Sequence, residues 1–105
     1  MKIDLSGHHV ELTEALHNAV NSSIDKLVSH YPNIETVKVI LTVEKHQQSA
    51  EAVVHFLGQD IVAKASGDNL YHSIVEMKHK LETLLKRRKA IIKSHPHQKL
   101  IPEEI

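Results

Sequence analysis

No cysteine occurs in the chain, so disulfides, zinc–thiolate centres and thiol nucleophiles are excluded. That fits a reducing compartment. Neither the opening stretch MKIDLSGHHVEL nor anything later forms a long apolar run. A signal peptide and a membrane span are therefore not expected, and the expected location is the cytoplasm. Aromatic side chains are confined to Tyr31, Phe56 and Tyr71, which argues against a row of bases stacked on aromatic platforms. Catalytic signatures are missing as well: there is no GxSxG, no glycine-rich phosphate loop and no HExxH. Asp4, Asp25, Asp60 and Asp68 show no pairing that spacing reveals, and Tyr71 reads as a packing residue with a hydroxyl partner. Among the ten histidines, His8-His9 and His95-Pro96-His97 lack converging third ligands, and His72 and His79 stand two helical turns apart. No enzyme, no cofactor and no resident metal is expected.

What is present is a chain of 105 residues with a formal net charge of zero, enough for one modest core. The zero conceals a strong asymmetry. From Lys78 to Lys93 there are seven basic residues (Lys78, Lys80, Lys86, Arg87, Arg88, Lys89 and Lys93) and one acid, Glu82, giving +6 against −6 for the remainder. This run closes a long predicted helix, residues 69–93, in which Leu70, Ile74, Met77, Leu81, Leu84 and Leu85 recur at helical spacing. Asp68 and Asn69 are its candidate N-caps. At about 1.5 Å per residue it would be roughly 37 Å long. A few cations at a helix C-terminus are favourable on their own account. Lys86-Arg87-Arg88-Lys89 is more than that effect explains, because neighbouring like charges repel unless a polyanion takes them up.

The rest of the chain supplies a platform. Residues 2–6 alternate as a short strand ended by Gly7. After a connector, Thr13 reads as an N-cap with Glu14 in the first turn. Leu16, Val20, Ile24, Leu27, Val28 and Tyr31 then follow helical spacing to about His30, and Pro32-Asn33 stops the helix. Residues 35–46 form the strongest strand, with Val37, Val39, Leu41 and Val43 on one face. A turn is expected at Gln47-Gln48. The next strand, 49–57, turns Ala50, Ala52, Val54 and Phe56 inward. A tight hairpin is expected at Gly58-Gln59, with glycine at the first central position. The third hairpin strand, 60–66, faces Ile61, Ala63 and Ala65 inward, and Gly67 turns into the long helix.

The fold class expected is α+β, in the order β-α-β-β-β-α, with a four-stranded sheet carrying both helices on one face. The last three strands should be antiparallel. The first lies beside the strand at 35–46, in a direction left open. Residues 1–93 make the domain, and 94–105, with two prolines and no periodicity, read as a flexible tail.

The basic helix end is the best functional signal. On a wheel centred on Met77, Lys78, Lys86, Lys89 and Lys93 fall on or beyond one flank, and Lys80 and Arg87 on the other. Cations on both flanks of one rod suit a phosphate-lined cleft, where neutralised phosphates release counterions. Lys26 and Lys64 can add to the same field. Histidines near such a face would gain charge as pH falls and strengthen polyanion binding.

These residues together resemble the ribosome hibernation promoting factor family, short form (the ribosome-associated inhibitor / sigma-54 modulation family). The match covers nearly all of residues 1–93. It rests on IDLSGHHVELTEAL, the pair Lys26-Leu27, the strand VKVILTVEK, and Asn69-Leu70-Tyr71 followed by Ile74, Lys80-Leu81 and Leu85. The family usually writes Asp-Met-Tyr at the head of the last block and an aspartate directly after the isoleucine. Here that aspartate position is Val75, so any role of its carboxylate is absent.

The resemblance implies a fold similar to double-stranded RNA-binding domains. It implies binding to 16S rRNA of the small ribosomal subunit in the mRNA and tRNA channel, around the A and P sites, with translation silenced in stationary phase. With ribosome modulation factor as functional partner, the protein, itself a monomer, would promote or stabilise inactive ribosome dimers. The family's basic positions carry over to Lys26, Lys80, Arg87, Lys89 and Lys93; Lys78, Lys86 and Arg88 are added from the local cluster, and Lys64 from the hairpin. The chain is expected to lack the dimerisation domain of the long form. The expected tail is shorter and less acidic than in the paralogue that keeps inactive ribosomes monomeric. A general double-stranded RNA binder is the main rival, but such modules place a lysine pair at the start of the last helix, where this chain has Leu70-Tyr71-His72. A histidine-based hydrolase and a homodimeric structural protein are more distant alternatives.

Overall fold

A computed structural model describes residues 2–94. Six elements follow one another: β1 (Ile3–His8), α1 (Glu14–His30), β2 (Ile34–Glu44), β3 (Gln47–Phe56), β4 (Gln59–Gly67) and α2 (Leu70–Ser94). This is the expected β-α-β-β-β-α order. Within the expected tail, residues 95–105 lie outside the described residues.

Local chemistry sets the limits of α1. The Thr13 hydroxyl accepts the Leu16 N–H at 3.2 Å, satisfying one donor that the first turn leaves free. At the other end the Tyr31 N–H reaches the Leu27 carbonyl at 2.8 Å, and Pro32 follows. Leu16, Val20, Ile24 and Leu27 are buried, one stripe on one face.

The sheet order is β1-β2-β3-β4. β1 runs parallel to β2, with Ile3 opposite Val37 and His8 opposite Thr42. The two hairpins are antiparallel. β1 is not ended by Gly7 but continues through His8. Glycine is needed there because a Cβ would lie 2.9 Å from both the Leu12 side chain and the Val10 carbonyl oxygen, where the connector folds back over the strand.

Both hairpin turns differ from the expected ones. Glu44 pairs with Gln47, so the first turn is Lys45-His46, and Gln47 and Gln48 belong to β3. Extending the ladder pairs more backbone, and it places Gln48 where it also serves α2: its Oε1 accepts the Leu70 N–H at 3.0 Å and its carbonyl accepts the Ser73 hydroxyl at 2.8 Å. The second turn is Leu57-Gly58, closed by the Phe56–Gln59 pair. Glycine is its second central residue, not its first. Both central residues have positive φ, 50° and 78°, the twist-matching arrangement for a two-residue hairpin. Leu57 accepts a left-handed conformation that costs a side-chain-bearing residue roughly 1–2 kcal/mol.

All ten inward strand residues of β2 to β4 named next are buried: Val37, Val39, Leu41, Ala50, Ala52, Val54, Phe56, Ile61, Ala63 and Ala65. They join one core with Leu16, Val20, Ile24 and Leu27 of α1 and Leu70, Ile74, Met77, Leu81 and Leu85 of α2. Both helices therefore cover the same sheet face. Ala50 faces Ala65 and Ala52 faces Ala63 across the β3–β4 ladder. This four-alanine patch leaves room for the large side chains of α2 to sit close.

Candidate nucleic-acid interface

The start of α2 is anchored before its charge begins. Asn69 Oδ1 accepts the N–H groups of Tyr71 at 2.8 Å and His72 at 3.3 Å. The Ser73 N–H reaches the Asn69 carbonyl at 3.0 Å, and Leu70 is served by Gln48. Three of the donors that a helix start leaves free are thus satisfied, Ser73 makes the first bond of the helix itself, and the cap is Asn69 rather than Asp68. From this fixed origin the helix extends its basic half along the molecule.

One flank of that half borders α1. A cleft of about 690 Å³ lies between the helices, lined by His30, Tyr31, Glu82, Lys86, Lys89 and Lys93 among others. Lys89 Nζ sits 5.8 Å from the centre of the Tyr31 ring, within cation–π range. The Tyr31 ring is itself set edge-on to Phe56, with centroids 5.8 Å apart and planes at 90°. The His30 Nδ1–H donates to the Lys26 carbonyl at 3.1 Å, while the Lys26 side chain is exposed one turn earlier on α1. Lys78 lies on the same flank of α2, nearer its start, and is half-buried.

The other flank overhangs β4. Arg87 is exposed and borders a shallow recess with Gln59, Asp60 and Val62. Lys80 Nζ donates to the Lys64 carbonyl at 3.0 Å, which ties α2 to the edge strand and leaves the ammonium further donors. The Lys64 side chain is exposed on the opposite face of the sheet from the helices.

Arg88 behaves differently from its neighbours. It is half-buried, its Nη2 donates to the Leu57 carbonyl at 2.7 Å, and its Nε is buried without a partner. Arg88 braces the β3–β4 turn in its left-handed conformation. The sequence carried a signal for this: Arg88 falls four residues after Leu84 and seven after Leu81, in line with the buried stripe.

Among the described residues, no lysine or arginine of α2 has a carboxylate within 4.0 Å; the ion pairs found involve histidine. His55 Nδ1 lies 2.8 Å from Asp60 Oδ1 and Nε2 lies 3.8 Å from Glu35 Oε1. This cross-strand clasp was not foreseen, although register would have revealed it, since His55 and Asp60 pair across the hairpin. His79 lies 4.0 Å from Glu76. Of the described histidines, His30 lines the basic cleft. Among the described residues no three histidines or carboxylates converge as a metal site, and no helix is long and apolar enough to cross a membrane.

The comparisons with known proteins agree with the fold. The profile of the Sigma 54 modulation protein / S30EA ribosomal protein family matches residues 3–93. The ribosome hibernation promoting factor of Azotobacter vinelandii is 37% identical over 89 residues, which cover 85% of this chain and 83% of that protein. A ribosomal subunit interface protein from Coxiella burnetii superposes with a TM-score of 0.77 at 26% identity, covering 86% of this chain and 99% of that one. The N-terminal domain of Thermus thermophilus Protein Y gives a TM-score of 0.75 at 29% identity, covering 83% and 98%.

Proposed function

The chain belongs to the Sigma 54 modulation protein / S30EA ribosomal protein family, and from that premise we propose that it is a ribosome hibernation factor. It binds 16S rRNA of the small subunit in the mRNA and tRNA channel, around the A and P sites, and blocks translation in the cytoplasm in stationary phase. It acts as a monomer, and with ribosome modulation factor it promotes or stabilises inactive ribosome dimers.

The observation that carries this reading is the basic half of α2, whose cations lie on both flanks with no acid partner among the described residues. Lys26, Lys80, Lys86, Arg87, Lys89 and Lys93 are the phosphate contacts, and Lys78 contributes to the field around them; Lys64, expected to join this cluster, stands apart from it because β4 turns its side chain to the face of the sheet away from the helices. Arg88 contributes indirectly, by holding the turn beneath the helix. No chemistry is required of the bound protein. A folded wedge excludes tRNA by occupying its path, and phosphate contacts fix its position. Irregular RNA is met by fit rather than by a base code.

The test is co-sedimentation of an Arg87→Glu, Lys89→Glu double variant with small subunits. Binding is expected to fall roughly 100-fold, because two favourable phosphate contacts become repulsive, while the circular dichroism spectrum is unchanged. Undiminished binding would remove this face from the interface.

A further inference from the structure

Where the side of α2 next to α1 forms a groove, the side over β4 is an open ledge, and beneath it runs a free strand edge. β4 ends the sheet, so part of its backbone has no ladder partner. Which part follows from the turn. The Phe56–Gln59 pair closes the two-residue hairpin and bonds in both directions. Pairs then alternate, so Ile61 and Ala63 bond to β3, while Asp60, Val62 and Lys64 direct their N–H and C=O groups outward. The Lys64 carbonyl bears this out, because it is taken from outside the sheet by the Lys80 ammonium at 3.0 Å.

The side chains at these three positions share the sheet face away from the helices. Their order is acid, apolar, base. Val62 is 49% exposed, the most exposed large apolar side chain among the described residues. The Asp60 carboxylate is held in place by the His55 ring, Nδ1 to Oδ1 at 2.8 Å, and has further lone pairs for a second donor. Lys64 has no carboxylate within 4.0 Å among the described residues, although Glu51 stands opposite it on β3.

Such an edge is complementary to itself. Set antiparallel about a two-fold axis at Val62, two copies place Val62 against Val62 and each Asp60 against Lys64 of the second copy. The outward backbone groups of all three residues then pair across the new ladder, and opposite charges face each other on both sides of an apolar centre. Moving the axis by one residue leaves the charges unmatched. Moving it by two puts Asp60 against Asp60 or Lys64 against Lys64, so charge selects the register. A charge that only guards an edge repels a second copy; this arrangement attracts one.

We infer that β4 pairs with β4 of a second copy, antiparallel and centred on Val62, joining two four-stranded sheets into one. The interface is isologous. The Lys80 ammonium gives up the Lys64 carbonyl to an N–H of the second copy. So short a ladder buries less than the roughly 1,200–2,000 Å² of a tight complex. Pairing therefore belongs to the free chain at high concentration, and a single copy still acts on the ribosome.

The experiment is sedimentation velocity of the full chain without RNA, from about 10 to about 500 μM at about 150 mM salt, where the basic helices of two copies are screened from each other. The sedimentation coefficient is expected to climb from monomer toward dimer. Val62→Lys, a change at an exposed position, should hold the chain monomeric across the range. The sharper arm is a charge swap. Asp60→Lys alone and Lys64→Asp alone each set like charges face to face at two places, and each should weaken self-association at least about tenfold. Mixed in equal amounts, the two variants should associate to within about twofold of the unmodified chain, since every facing pair is again opposite in sign. A monomer at every concentration, association that Val62→Lys leaves unchanged, or a mixture no better than its components would overturn the inference. With no RNA in the cell, the outcome is independent of the ribosomal reading above.

Discussion

The two ends of α2 use their polar groups in opposite ways. In the first turn, Asn69, Gln48 and Ser73 are bonded to backbone, and the result is a fixed helix origin. In the last turns, exposed cations accumulate without carboxylate partners among the described residues. One end is closed on the fold and the other is open to a ligand. Arg87 and Arg88 repeat the contrast in adjacent positions, one exposed and one bonded to the Leu57 carbonyl. The lesson is that a charge counts toward binding only when the fold leaves it free.

The strongest way to break the contrast is to remove what joins the two ends. Leu81 is fully buried midway along α2. Leu81→Ala should cost roughly 2–5 kcal/mol of stability, measured by urea denaturation. Ribosome binding should fall only as far as the unfolded fraction rises, because no contact is lost at the interface.

The adjacent arginines give a sharper and smaller comparison. Arg87→Met should weaken small-subunit binding roughly tenfold with little change in stability, since it deletes one exposed phosphate contact. Arg88→Met should do the reverse. It should lower stability by about 1 kcal/mol, the lost hydrogen bond being partly offset by relief of the unpartnered Nε, and binding should stay within about twofold. If the two variants behaved alike in both assays, the distinction between open and closed cations would fail.

At the anchored end the expected effect is smaller still. Asn69→Ala removes the acceptor for two N–H groups and should cost about 1 kcal/mol, read as a lower urea midpoint with an unchanged slope. Ribosome affinity per folded molecule should not move.

Much of this arrangement could be read from residue spacing. Period-two runs located the hairpin strands, and the stripe from Leu70 to Leu85 located the long helix, because burial of one face imposes those periods. Turn placement was less legible. Gln47 and Gln48 resemble turn residues by polarity, yet Gln48 is drawn into the strand by bonds to a helix more than twenty residues away. Gly58 signalled the second turn but not its frame, since Leu57 adopts the conformation that glycine was expected to supply. The candidate interface was visible as a cluster of cations. Its division into a groove, a ledge and a brace was not, because that depends on which neighbours α2 meets after packing.

The central claim is that five cations of α2, with Lys26 of α1, hold the protein against RNA of the small subunit. The most direct test is sedimentation of the unmodified chain with purified small and large subunits at two salt concentrations. With six phosphate contacts, binding to the small subunit should fall on the order of 10³-fold between about 50 and 200 mM salt, with no comparable binding to the large subunit. Binding that ignored salt, or that favoured the large subunit, would contradict the account.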